Sequence, residues 1–257
     1  MSGAKVLLID IETAPIEAHV WQLFDQNVGL NQIVKDWSVL SWSAKWLGKK
    51  TVYYEDVSKQ KNKRDDSKIL KGIWKLMDEA DIIVGQNSTS FDVKKLNARF
   101  VINGMTPPSG YRQQDTRRMA KKIFGFTSNK LEYMADKLCT KYKKLKHKNF
   151  AGHELWTECL KGNKKAWREM QLYNKHDVLA TEELYNKLKA WDNTINFDVF
   201  RNDEQNLCDC GHPAFRKWGF RFTNGGKFQR LKCKACGKDH TAKLNLLSKE
   251  KRKSLRK

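Results

Sequence analysis

The chain has 257 residues, 40% of them hydrophobic and 11% aromatic, enough for one sizeable core plus a small module and too much for wholesale disorder. Lys and Arg number 50 against 29 acids, a formal +21, which points to a polyanionic partner, nucleic acid before an anionic membrane, because no long helix pairs a basic face with an apolar one. No run approaches the 18 or more apolar residues of a membrane span, and the apolar stretch of MSGAKVLLIDIET is too short and too soon acidic for a signal peptide, so a cytoplasmic protein is expected whose six cysteines serve metal or stay thiols.

In chain order, KVLLIDIET (residues 5–13) reads as a buried strand that turns acidic at its C-terminal end. Strand side chains alternate faces, so Asp10 and Glu12 project to one side and repel each other unless a cation intervenes. Residues 39–57 alternate apolar with polar around Gly-Lys-Lys, the pattern of a hairpin. Helical spacing follows over 67–80, then a short buried strand, DIIVGQN (81–87), and a second helix over 92–103 with Asp92 at its start, where a capping role is the plain alternative. Asp115, in QQDTRRM, reads first as another helix cap, and Ser128 as the cap of an amphipathic helix over 128–138. The run KYKKLKHKN (141–149) reads as a solvated charged face. A long helix from about Lys165 to Trp191 places Tyr173 and Asp177 at i and i+4, on one face, with His176 on another. Strands followed by alternating strands and helices predict an α/β domain with a mixed sheet.

Taken together, Asp10-Ile-Glu12, Asn87-x-x-x-Phe91-Asp92 and Tyr173-x-x-x-Asp177 resemble, in order and spacing, the three exonuclease motifs of the DEDD (DnaQ-like) superfamily. The likeness is greatest to the proofreading exonuclease domain of family B DNA polymerases and covers roughly residues 4–192; GQNSTSFDVKKLNAR and YNKHDVLATEEL carry it. Leu172 stands where the histidine branch of the superfamily has its His, so the tyrosine branch is the better match. The resemblance implies a ribonuclease H-like domain over residues 1–198 and a 3′→5′ exonuclease using two Mg²⁺ or Mn²⁺ ions. It further implies that Asp10, Glu12 and Asp177 hold one ion, that Asp10 bridges to a second that Asp92 reaches through water, and that Tyr173 orients the attacking water. Asn87 and Phe91 would touch the nucleic acid, Phe91 by stacking unless it belongs to the core. No polymerase domain accompanies these motifs, so a free-standing monomeric nuclease acting on DNA is expected, with a replication or repair protein as a possible partner. An RNA exonuclease or structure-specific nuclease fits the same site. A non-catalytic nucleic-acid-binding protein fits less well, because all four carboxylates are present.

Composition changes near residue 200. Cys208-x-Cys210 and Cys233-x-x-Cys236 flank 22 residues, and each pair is followed by glycine. Four thiolates suit one structural Zn²⁺, and so short a segment needs it to fold, so a zinc ribbon is expected over 199–240, with His212 and His240 as substitute ligands for Cys208. Cys139 and Cys159 fall on helices outside it. Between the pairs, Arg216, Lys217, Arg221, Lys227 and Arg230 would contact phosphate, while Phe215, Trp218, Phe220, Phe222 and Phe228 form the small core. Residues 241–257 carry seven Lys or Arg and one Glu and are expected to be an unstructured basic tail.

Overall fold

The computed structural model describes residues 3–143, 145, 149–201 and 206–255. Lys144, Lys146, His147 and Lys148 of the expected charge run lie outside them, as do Arg256 and Lys257 of the tail. Contacts divide the chain into two compact units, Lys5–Tyr185 and a second that takes in the chain from Asn186 onward with the few residues before Lys5.

The first unit runs β1 (Val6–Thr13), β2 (Glu17–Ala18), β3 (Ile33–Lys35), β4 (Val39–Trp46), β5 (Tyr53–Asp56), α1 (Ser67–Glu79), β6 (Ile82–Gly85), α2 (Asp92–Ile102), β7 (Arg112–Asp115), α3 (Thr116–Ile123), α4 (Leu131–Leu138), α5 (Glu154–Leu160) and α6 (Lys164–Leu188). Its five-stranded sheet has the order β5-β4-β1-β6-β7. β1 pairs antiparallel with β4 and parallel with β6, so the sheet is mixed, with β1 at its centre. The expected hairpin is β4–β5, turned at Gly48, whose φ of +75° suits glycine. The helix expected from Ser128 begins at Leu131 instead; Ser128 Oγ accepts only from the Lys130 amide, a turn before the helix.

One face of the sheet is apolar. Leu7, Ile9 and Ile11 of β1 and Leu40, Trp42 and Ala44 of β4 are buried with Ile69, Leu70, Ile73 and Met77 of α1 and Val93, Leu96 and Phe100 of α2. The alternate residues of β4, which alternation alone assigns to water, are buried too: Ser41 and Ser43 are fully enclosed, and Lys45 pairs with Glu182 of α6 at 2.6 Å. Asp66, with no exposed side-chain surface, fastens three elements at once. It accepts the Val39 amide at 2.9 Å and a two-pronged contact from Arg99 of α2 at 2.7 and 2.8 Å, just before α1 begins.

The second unit holds an antiparallel sheet of order β10-β9-β8, with β8 (Phe215–Thr223), β9 (Gly226–Cys233) and β10 (Asp239–Asn245), then a short helix α7 (Lys249–Lys253). The expected boundary at 198 falls inside this unit, and the segment from 241, expected to be unstructured, supplies most of β10 and α7. Charge density argued for a solvated tail, but pairing of Thr241 with Arg230 and of Asn245 with Phe228 in β9 supplies the hydrogen bonds that local sequence does not advertise. Among the described residues no helix is long and apolar enough to cross a membrane.

Removing one partner of a buried ion pair leaves the other charge uncompensated, at about 3–5 kcal/mol. Asp66→Ala is therefore expected to lower the urea midpoint of the Lys5–Tyr185 unit by that order of stability without changing the slope. A loss below about 1 kcal/mol would mean that Asp66 does not tie α1, α2 and β4 together.

Candidate active site

Asp10 and Glu12 leave the central strand on the face opposite Ile9 and Ile11, with Asp10 across from Ser43 and Glu12 across from Ser41 of β4. α6 crosses that face and presents Tyr173, Asn174 and Asp177, all buried. Asn174, fully enclosed, joins helix to sheet. Its Nδ2 donates to Asp10 O at 3.2 Å and to Asp10 Oδ2 at 2.5 Å, and its Oδ1 accepts from Ser41 Oγ at 3.2 Å and Ser43 Oγ at 3.1 Å. The amide is thereby oriented: the end facing two Asp10 oxygens must be the donor.

Asp92 arrives from a tight turn after β6. Gly85 is required there, since a Cβ would meet Ser88 Cβ at 2.5 Å and Ile9 O at 3.2 Å. Asn87 takes the left-handed conformation at φ +66°. Asp115 holds this loop, accepting the Asn87 amide at 2.9 Å and the Thr89 amide at 3.1 Å while capping α3 through the Arg117 and Arg118 amides. Its expected capping role is thus doubled. Asp92 is the first residue of α2 and no cap; its Oδ1 accepts the Ile11 amide of β1 at 3.0 Å, which ties the second motif to the first. Glu12 Oε2 accepts the indole N–H of Trp156 at 2.9 Å, and that ring packs edge-on against Tyr173 at 6.4 Å.

The electrostatics follow from this crowding. Burial, then the charges of Asp177, Asp92 and Glu12, push the Asp10 carboxyl well above the usual carboxylate range, against the lowering effect of Asn174. Burial, with a smaller contribution from Asp115, pushes Asp92 up to about 7 against the amides of Ile11 and Asp92 itself. Burial and the charges of Asp177, Glu12 and Asp10 raise the Tyr173 hydroxyl, which bonds Asp177, so it stays a neutral phenol. An all-oxygen set of mutually repelling carboxylates is a donor set suited to hard divalent cations such as Mg²⁺ or Mn²⁺.

The structure therefore brings Asp10, Glu12, Asp92, Tyr173 and Asp177 together. Asn87 lies in the loop ahead of Asp92, its Oδ1 accepting from Arg117 at 2.8 Å, and Phe91 is 37% exposed beside Lys95. His176 turns to Tyr142, edge-on at 5.7 Å. Asn174, Ser41, Ser43 and Trp156 went unrecognised in the sequence. Asn174 did leave a signal, a polar residue inside the buried stripe Met170, Asn174, Val178, Thr181, Tyr185.

In the second unit the sulfurs of Cys208, Cys210, Cys233 and Cys236 lie within 4.8 Å of one another, with Cys208–Cys236 at 3.5 Å and Cys210–Cys233 at 3.7 Å. A tetrahedron with Zn–S about 2.3 Å has edges of about 3.8 Å, so the four fit one zinc. Gly211 and Gly237 take φ of +87° and +74°, closing the turn after each pair. Burial raises the Cys233 thiol, but the amides of Cys236 and Ala235 and the neighbouring thiols bring it down to about 7, towards the thiolate that binds metal. His240 Nε2 stands 3.2 Å from Cys208 Sγ; Cys139 and Cys159 are buried within the Lys5–Tyr185 unit. Arg216, Lys217, Arg221, Lys227 and Arg230 lie on β8 and β9, Arg230 paired with Asp239 at 3.2 Å.

The family model RNase_H_2, of the RNase_H superfamily, matches residues 35–189, more than half of the chain and a span containing Asp92, Tyr173 and Asp177 but not β1. Among solved structures, the family B DNA polymerase from the hyperthermophilic archaeon Pyrobaculum calidifontis is similar, with 17% identity, a TM-score of 0.54, and coverage of 73% of this chain. That is a likeness of fold, and the chain spans 25% of the polymerase's length. No curated protein matches the sequence.

A carboxyl raised in the folded state binds its proton where the unfolded chain has lost it. The stability it contributes is present below the ordinary carboxylate pKa and is lost as pH rises towards 7. In magnesium-free buffer, Asp92→Asn should therefore melt above the parent, with the gap opening between pH 4 and 8, at about 2–4 °C for each kcal/mol relieved. A gap independent of pH would contradict the raised carboxyl. For the cysteines, one tightly held zinc per chain is expected by elemental analysis, and zinc persisting after Cys233→Ser with Cys236→Ser would contradict the assignment.

Proposed function

Because the chain belongs to the RNase_H superfamily, we propose that its carboxylate cluster is the catalytic centre of a metal-dependent nuclease, and more narrowly of a 3′→5′ exonuclease that hydrolyses DNA. The observation that carries this reading is the convergence of Asp10, Glu12, Asp92 and Asp177 from β1, α2 and α6, with the Tyr173 phenol among them. Asp10, Glu12, Asp92 and Asp177 would hold two Mg²⁺ or Mn²⁺ ions, which when bound supply an activated water and neutralise charge building on the phosphate and leaving oxygen.

The chain's own residues then set the geometry. Asn174 fixes the Asp10 carboxylate, Trp156 fixes Glu12 and the Ile11 amide fixes Asp92, so these three acids would meet the reaction without rearranging. Tyr173, kept neutral, orients a water through its hydroxyl and does not act as a base. Asn87 and Phe91, in the loop entering α2, would meet the terminal nucleotide. The four-cysteine module would hold one structural Zn²⁺, and its basic residues Arg216, Lys217, Arg221, Lys227 and Arg230 would grip phosphate.

The test is hydrolysis of 5′- and 3′-labelled DNA and RNA, single- and double-stranded, with Mg²⁺ or Mn²⁺. Asp10→Ala and Asp177→Ala are each expected to remove nearly all activity with the fold retained. Tyr173→Phe should cost about 10²-fold, the low end for orienting and acid–base groups, and His176→Ala little. Activity within a few-fold of the parent in Asp10→Ala would sink the catalytic assignment; a crippled His176→Ala would sink the role given to Tyr173.

A further inference from the structure

We propose that the β8–β9 hairpin is a base-stacking site for single-stranded nucleic acid. The proposal rests on the nuclease reading for the nature of the polymer and adds the strand form that the hairpin selects.

The starting observation is a misplaced set of aromatics. In so small a sheet the rings are expected inside, yet Trp218 is 49% exposed, Phe220 42% and Phe222 71%, and β8 faces solvent along nearly all its length. Large exposed apolar groups gathered on one element mark a binding surface. Each ring also has a cation beside it. Arg216 Cζ lies 4.6 Å and Lys232 Nζ 5.5 Å from the Trp218 ring, with Arg216 and Lys232 directly opposite in the strand register. Lys227 Nζ lies 4.1 Å from Phe220 and 5.8 Å from Phe222. A bulge separates the two clusters: the register shifts between Lys217 and Phe220, where Gly219 sits at φ +69° and its carbonyl accepts from Gln229 Nε2 at 2.8 Å.

The occupant follows from complementarity. From Phe215 to Cys233 the hairpin carries six Lys or Arg and no acid, so the ligand is a polyanion. Rings interleaved with those cations add flat apolar planes to what the ligand must offer. A single nucleic-acid strand supplies both, alternating phosphates with unstacked base faces. A duplex supplies the phosphates but keeps its base faces stacked inside. The rings therefore discriminate between strand forms, whereas the cations bind either.

The experiment uses the full chain carrying Asp177→Asn, so that substrate survives, and measures anisotropy with a labelled oligothymidylate and a blunt duplex of equal length over several salt concentrations. Trp218→Ala and Phe222→Ala are each expected to weaken single-strand binding by about tenfold. The dependence on salt should stay unchanged, since no charge is lost, and duplex binding should hold within about twofold. Trp218→Phe, which keeps a ring, should restore most of the loss. Zinc content is measured on each variant; should Trp218→Ala lose zinc, Phe222→Ala, paired with Lys227 far in register from Cys233, carries the test. Equal losses for both strand forms would reduce the hairpin to a phosphate grip and overturn the proposal. Unchanged binding of both would assign the rings to a protein surface and overturn it equally. Hydrolysis by the parent chain is read separately: its absence with stacking intact would remove the nuclease reading alone.

Discussion

Like charges in a poorly hydrated place raise one another's energy, and the Lys5–Tyr185 unit is arranged around holding four carboxyl groups against that repulsion. Asp10 experiences the other three, and its proton affinity rises accordingly. Left to relax, such groups would swing apart into water. Three of the four are instead tied to something rigid: Asp10 to the Asn174 side-chain amide, Glu12 to an indole, Asp92 to a strand backbone. The polar face of β4 makes sense in this light. Ser41 and Ser43, buried where alternation puts them towards solvent, serve the Oδ1 of Asn174 so that its amino end can serve Asp10.

Holding these acids together costs the fold stability. The apolar face of the sheet and the Asp66–Arg99 anchor compensate from a distance, fixing β4, α1 and α2 without touching the carboxylates. Asp115 works similarly at the end of the edge strand β7. By capping α3 and the loop ahead of Asp92 at once, it makes the position of one motif depend on the start of another helix.

The second unit solves a different problem. Three strands enclose little apolar surface, and the four cysteine sulfurs gathered beside them could hold a metal in place of a core. That frees the aromatic residues of β8 from packing duty. Several of them stand exposed, with Arg216, Lys227 and Lys232 beside the rings.

By itself the sequence determined the α/β class, the central acidic strand, the pairing of 39–57 and the long helix, because apolar periodicity and turn residues act over a few positions. It also singled out Asp10, Glu12, Asp92, Tyr173 and Asp177, since their order and spacing resemble known exonuclease motifs. Cysteine pairs followed by glycines marked the four-cysteine cluster in the same way. What only the tertiary structure decided were the partners: Asn174 against Ser41 and Ser43, Trp156 against Glu12, Asp92 against Ile11. Each bond there spans between 81 and 144 residues of chain, and no local pattern encodes it. β10 was hidden likewise, its charged residues suggesting solvation until β9 lay alongside to pair with them. Ring exposure on β8 was the hardest to foresee, because alternation says which residues share a face but not whether anything covers it.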